Sequence, residues 1–113
     1  TFAKTDADEA REEAELMAWV RSLPEPVSGE MEALYREMIA LETPEAKLYK
    51  AMDKLEAIVQ HNESDIATWE PHEYQLNMTY ADDAVAWSPV LRELREAIRK
   101  DTKAKITAAE QQA

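Results

Sequence analysis

A chain of 113 residues with 24 acidic and 13 basic side chains, a formal net charge of −11, is poorly suited to nucleic acid or an anionic membrane as its main partner. Cysteine is absent, which excludes disulfides, thiol catalysis and cysteine-ligated metal, and fits a reducing compartment. A single glycine, with abundant Ala, Glu, Leu and Lys, predicts an all-α chain with one modest core.

No stretch alternates apolar and polar residues as a strand would. No apolar run approaches membrane-spanning length and no signal peptide is visible, so a soluble, cytoplasmic protein is expected. The charge is uneven: residues 1–45 hold 12 acids and 4 bases, residues 46–113 hold 12 acids and 9 bases.

The first helix starts at Thr5-Asp6-Ala7-Asp8, a capping-box pattern with acids in the first turns, and runs to about Ser22. Ala10, Ala14, Met17 and Val20 or Arg21 share one side of it, with Leu16, Trp19 and Leu23 beside them. Leu23-Pro24-Glu25-Pro26 ends it. Ser28 and Gly29 open a second helix carrying Met31, Leu34, Tyr35, Met38 and Ile39, expected to stop near Glu42 because the residue before a proline is pushed out of the α region.

Thr43 and Pro44 are an N-cap and a first-turn proline for a third, central helix reaching Asn62. Leu48, Met52, Leu55 and Val59, flanked by Ala51 and Ile58, form a wide apolar face, with Lys47, Lys50 and Lys54 along one edge and Glu45, Glu56 and Glu63 along the other. At about 100° per residue, Ala46, Tyr49, Asp53, Ala57 and Gln60 fall in a stripe on the opposite side. So few charges there predict a second neighbour, and Asp53 then stands in a partly enclosed place where a carboxylate needs a partner or a cation. The plain alternative is a surface carboxylate paired with Lys50.

Ser64 to Glu70 is a polar connection with Trp69 near its end. Pro71 starts a fourth helix with Tyr74, Met78, Ala81 and Val85 at helical spacing, its end obscured by Asp82-Asp83. Ser88 and Pro89 begin a fifth, basic helix that buries Val90, Leu91, Leu94, Ala97 and Ile98, with an Arg92–Glu96 pair on its solvated face. The tail from Thr107 is expected to fray.

His61 and His72, with Glu63 and Glu73 nearby, match no defensible metal-ligand spacing and are taken as ordinary polar residues around a loop. Trp19, Trp69 and Trp87 are far apart in sequence and are expected to pack in the core or at helix ends.

The segment Lys50-Ala51-Met52-Asp53-Lys54-Leu55-Glu56 resembles the late metal-ligand helix of HD-domain phosphohydrolases, in particular the small helical 5'-deoxynucleotidase-like group. In that group a lysine stands three residues before the last aspartate ligand, and many members have a glutamate three after it. Thr43-Pro44-Glu45-Ala46-Lys47, Gln60-His61-Asn62-Glu63 and Trp69-Glu70-Pro71-His72-Glu73-Tyr74-Gln75-Leu76-Asn77-Met78-Thr79-Tyr80 are similar to its bacterial members. The opening Thr1-Phe2-Ala3-Lys4-Thr5-Asp6 looks like the segment that follows the family's earlier metal-binding helices.

The resemblance implies a nucleotide phosphomonoesterase dependent on a divalent transition metal (Mn, Co, Fe, Ni or Zn). Asp53 would be a metal ligand, and Lys4 would neutralise phosphate charge. The family's remaining ligands are a first histidine and a His-Asp pair, with the catalytic glutamate close after that pair. This chain has no His-Asp dipeptide. Residues 1–113 are therefore expected to be the C-terminal half of a single HD-type helical bundle of about five helices, inactive by itself, with no catalytic residue of its own. Its expected partners are the N-terminal half of the same protein, a nucleotide monophosphate substrate and a second copy in a homodimer. The competing reading is an acidic all-helical interaction module without a catalytic role.

Overall fold

The computed structural model describes residues 5–112. The chain divides into two compact units, Thr1–Lys47 and Leu48–Ala113. Among the described residues it is all-α: α1 (Asp6–Arg21), α2 (Val27–Ala40), α3 (Pro44–Glu63), a 3₁₀ turn at Ile66–Thr68, α4 (Pro71–Thr79), α5 (Asp82–Val85) and α6 (Pro89–Gln112). All five expected helices are present, the fourth broken in two. None of them is long and apolar enough to cross a membrane.

In the first unit α1 and α2 lie against each other. The capping box at Thr5 forms in both directions: its side chain accepts from the Asp8 N–H, and the Asp8 carboxylate accepts from the Thr5 N–H, each at 3.2 Å. Arg21 of α1 and Arg36 of α2 both reach Glu32, at 2.9 and 2.8 Å, and the hydrogen bond from Arg36, then that from Arg21, holds this carboxyl below the usual carboxylate range. Apolar cover is thin. Val20 is fully buried and Leu16, Met17, Met31, Tyr35 and Met38 are half-buried, whereas Trp19, Leu34 and Ile39 are exposed, so the apolar residues expected to pack from these helices are covered only in part. α2 ends two residues before the expected Glu42, because Leu41 turns the chain in the left-handed region at φ 54°.

α3 opens as expected, with Thr43 Oγ1 accepting from the Ala46 N–H at 3.1 Å. In the second unit Ala51, Leu55 and Ile58 of α3 form the core with Ala81, Val85, Leu91 and Ile98, and Tyr80 and Ala84 pack at its edge. The buried arc of α3 is narrower than its apolar face. Leu48 and Met52 are both 45% exposed and Val59 is 37% exposed.

α6 is rotated from its expected setting. Its buried stripe is Leu91, Arg95, Ile98 and Thr102, while Val90, Leu94 and Ala97 are exposed. The reason lies at the α4–α5 corner. Ala81, at φ 75°, breaks the helix that the spacing of Met78, Ala81 and Val85 predicts, leaving the last carbonyls of α4 without intrahelical donors. Arg95 donates to the Asn77 carbonyl at 2.9 Å and Arg99 donates to the Met78 carbonyl, an arrangement that also places cations at a helix C-terminus. Both guanidinium groups reach Asp82 at the start of α5, at 3.2 and 2.7 Å. Burial pulls the Arg95 pKa down, and the hydrogen bond to Asp82 pushes that of Arg99 up. Arg92, expected to pair with Glu96, donates instead to the Ala86 carbonyl at 2.7 Å, and Glu96 pairs with Arg99.

α6 also continues through the segment expected to fray and ends at Gln112. Thr102 anchors this extension. It is fully buried, donates to Asn62 Oδ1 at 2.9 Å and lies 3.1 Å from the Ile98 carbonyl. Thr102→Val should cost about 1 kcal/mol or more in a denaturant melt, because the half-buried Asn62 Oδ1 loses its donor while side-chain volume is nearly kept. A loss below about 0.5 kcal/mol, the range of ordinary surface changes, would show that the hydroxyl does not tie α6 to α3.

Candidate metal sites

Two groups of donors stand out in the second unit. The first is Asp53 alone. It lies on the exposed side of α3, one turn after Tyr49, which is 55% exposed. Of the stripe expected to face a second neighbour, Ala46 is buried and Ala57 is half-buried, while Tyr49, Asp53 and Gln60 are exposed. No ion pair or hydrogen bond joins Asp53 to Lys50 or any other side chain among the described residues. Lys54, next in sequence, lies over the Tyr80 ring at 5.5 Å. Asp53 is thus an exposed carboxylate bordered by apolar side chains that α3 does not bury.

The second group joins the two histidines that the sequence leaves apart. Trp69 is buried, its indole N–H donates to the His61 carbonyl at 3.0 Å, and its ring meets Tyr74 edge-on at 5.5 Å. This fixes the start of α4 against the end of α3. Glu70 is the N-cap of α4 and makes no capping hydrogen bond with its side chain; its Oε2 lies 3.5 Å from His72 Nδ1. Donor atoms of Glu70, His72 and Glu73 all lie within 4.8 Å of one another. From α3, His61 Nδ1 comes to 3.7 Å from Glu73 Oε2 and donates to Asn77 Oδ1 at 3.0 Å. Asn77 is fully buried.

Sequence reasoning noted His61, His72 and Glu73 but missed Glu70, and Glu63, the other acid it named, is outside this group. A signal was present. Pro71 at the first helical position makes Glu70 the N-cap, so the side chains at 70, 72 and 73 belong to one helix end.

The third candidate, Lys4, lies outside the described residues.

A family model described as an HD domain matches residues 2–105, nearly the whole chain. The chain belongs to the HD-domain family. None of the curated proteins and none of the solved structures compared with it matches. HD domains are generally metal-dependent phosphohydrolases, typically using a divalent ion, which places this chain in a superfamily of that chemistry. The HD-domain match runs through α3, and with it Asp53, and through the Glu70–Glu73 group.

Proposed function

We propose that this HD-domain chain supplies the C-terminal half of a divalent-metal-dependent phosphohydrolase acting on nucleotide phosphomonoesters, with Asp53 as its metal ligand. The observation that carries the reading is Asp53 itself, an exposed carboxylate without an ionic partner among the described residues. It lies on the segment that resembles the family's last ligand helix.

One carboxylate does not make a transition-metal site, which takes three or four protein donors. In this proposal the histidine and the His-Asp pair come from residues outside these 113, as does the catalytic glutamate. When bound, a divalent ion so held would lower the pKa of a bound water and polarise a phosphoryl oxygen. The part of this chain is narrower. Asp53 contributes one anionic oxygen donor, and the helix, capped by Thr43 and anchored by Leu55 and Ile58, fixes its position. Exposed Leu48, Tyr49 and Met52 provide apolar surface for the adjoining half, whose cover would exclude water beside the carboxylate.

The test compares this chain alone with a preparation that also contains the histidine-bearing half, by metal content after dialysis and by release of inorganic phosphate from nucleoside monophosphates. Phosphate release, and retention of a metal that depends on Asp53, are expected only with both halves. Equal turnover by the 113 residues alone would remove the need for outside ligands.

A further inference from the structure

We propose that the exposed row of α6 is a self-docking surface, on which the α6 of a second copy of this chain packs antiparallel. α6 buries Leu91, Arg95, Ile98 and Thr102 against its own unit. Turned from that stripe by about 100°, Val90, Leu94, Ala97, Asp101, Ala104 and Ala108 are all exposed, Val90 by 74%. Their spacings alternate between four and three residues, as in the seam between two paired helices.

What fits this row is another copy of it. In an antiparallel pair centred between Arg95 and Glu96, Leu94 of each copy meets Ala97 of the other, a large side chain against a small one. Ala104 reaches the start of the other α6, just after exposed Trp87.

Charge selects the same arrangement. Glu93 and Lys100 flank the row on the side away from the buried stripe, and both are exposed. Neither forms an ion pair among the described residues. In the register above, Glu93 of each copy lies across from Lys100 of the other, giving two ion pairs related by a twofold axis. Sliding the pair by one heptad sets Lys100 against Lys100, or Glu93 against Glu93, according to the direction. A parallel pair sets Lys100 against Lys105. Only the first arrangement joins opposite charges.

The weak layer is Val90 against Asp101, which puts a carboxylate in the seam. With few large apolar side chains the interface is small, so a dissociation constant on the order of ten to a hundred micromolar is expected. The surface is carried by α6 alone and does not depend on the reading of Asp53 as a ligand.

The test is sedimentation equilibrium over roughly 5–500 µM, on this chain and on the preparation that also contains the histidine-bearing half. Both should pass from one copy to two. Glu93→Lys and Lys100→Glu should each weaken association by roughly tenfold or more, and the double exchange should restore it to within about threefold of wild type. Asp101→Leu, which fills the weak layer, should tighten it by about tenfold. All three positions are exposed, so circular dichroism should be unchanged. No association across the range, single variants that associate like wild type, a double exchange as weak as either single change, or no tightening by Asp101→Leu would each overturn the proposal. Loss of association once the histidine-bearing half is present would overturn it too, by showing that this half covers the row instead.

Discussion

Asp82→Ala is expected to destabilise the second unit by about 2–4 kcal/mol, while Arg95→Met, which removes a larger and more buried group, should cost less than about 1.5 kcal/mol. The asymmetry follows from where the charges sit. The Arg95 side chain is 1% exposed and that of Asp82 is 44% exposed. Removing the carboxylate leaves a guanidinium in the core without its counter-ion; the Asn77 carbonyl is its hydrogen-bond acceptor, and neither its Nε nor its Nη1 has a hydrogen-bond partner among the described residues. Methionine keeps most of the apolar stem and removes the charge that burial penalises. Asp82 meanwhile keeps Arg99 at 2.7 Å. Urea melts followed by circular dichroism would measure both changes. If Arg95→Met costs as much as Asp82→Ala, the guanidinium is a net source of stability and its desolvation has been overrated.

The same corner shows what the sequence disclosed and what it withheld. Helix starts with a side-chain cap or a first-turn proline were legible because they depend on local chemistry: Thr5, Thr43 and Ser88 each cap the helix they precede, and Pro44, Pro71 and Pro89 stand at the starts of theirs, whereas α2, expected to open at Ser28, starts at Val27 with Pro26 as an N-cap that makes no side-chain hydrogen bond. Which side of a helix is buried was less legible. The apolar rows of α3 and α6 were read correctly as rows, but Leu48, Met52 and Val90 stay exposed and Arg95 goes inside. That choice rests on the free carbonyls that the break at Ala81 creates, and nothing in the local spacing announces a left-handed alanine there. The extent of α6 was missed for a related reason. Thr102 and Asn62 are 40 residues apart, and their hydrogen bond is a tertiary fact.

The candidate sites divide in the same way. Asp53 was singled out by a stripe poor in charge and by its resemblance to a ligand helix. The second neighbour expected over that stripe is not supplied by the described residues, since Tyr49, Asp53 and Gln60 are exposed. The Glu70–Glu73 group was out of reach while His61 and His72 were judged by sequence spacing alone. The 3₁₀ turn and the buried Trp69 bring their helices together.

The central claim is that Asp53 is a metal ligand of an HD-type phosphohydrolase, and Asp53→Asn tests it most directly in the preparation containing both halves. The amide keeps the volume but removes the negative charge, weakening the oxygen as a donor to a hard or borderline cation. Bound metal and phosphomonoesterase turnover should fall together, by at least the roughly 10–100-fold that loss of a mere supporting group produces. Metal-free stability should stay within about 0.5 kcal/mol, as for other exposed positions without an ion pair. The measurement is metal content and phosphate release of wild type and Asp53→Asn side by side. A joint loss at unchanged stability is the predicted result, and a full metal complement with near-normal turnover would contradict the ligand assignment.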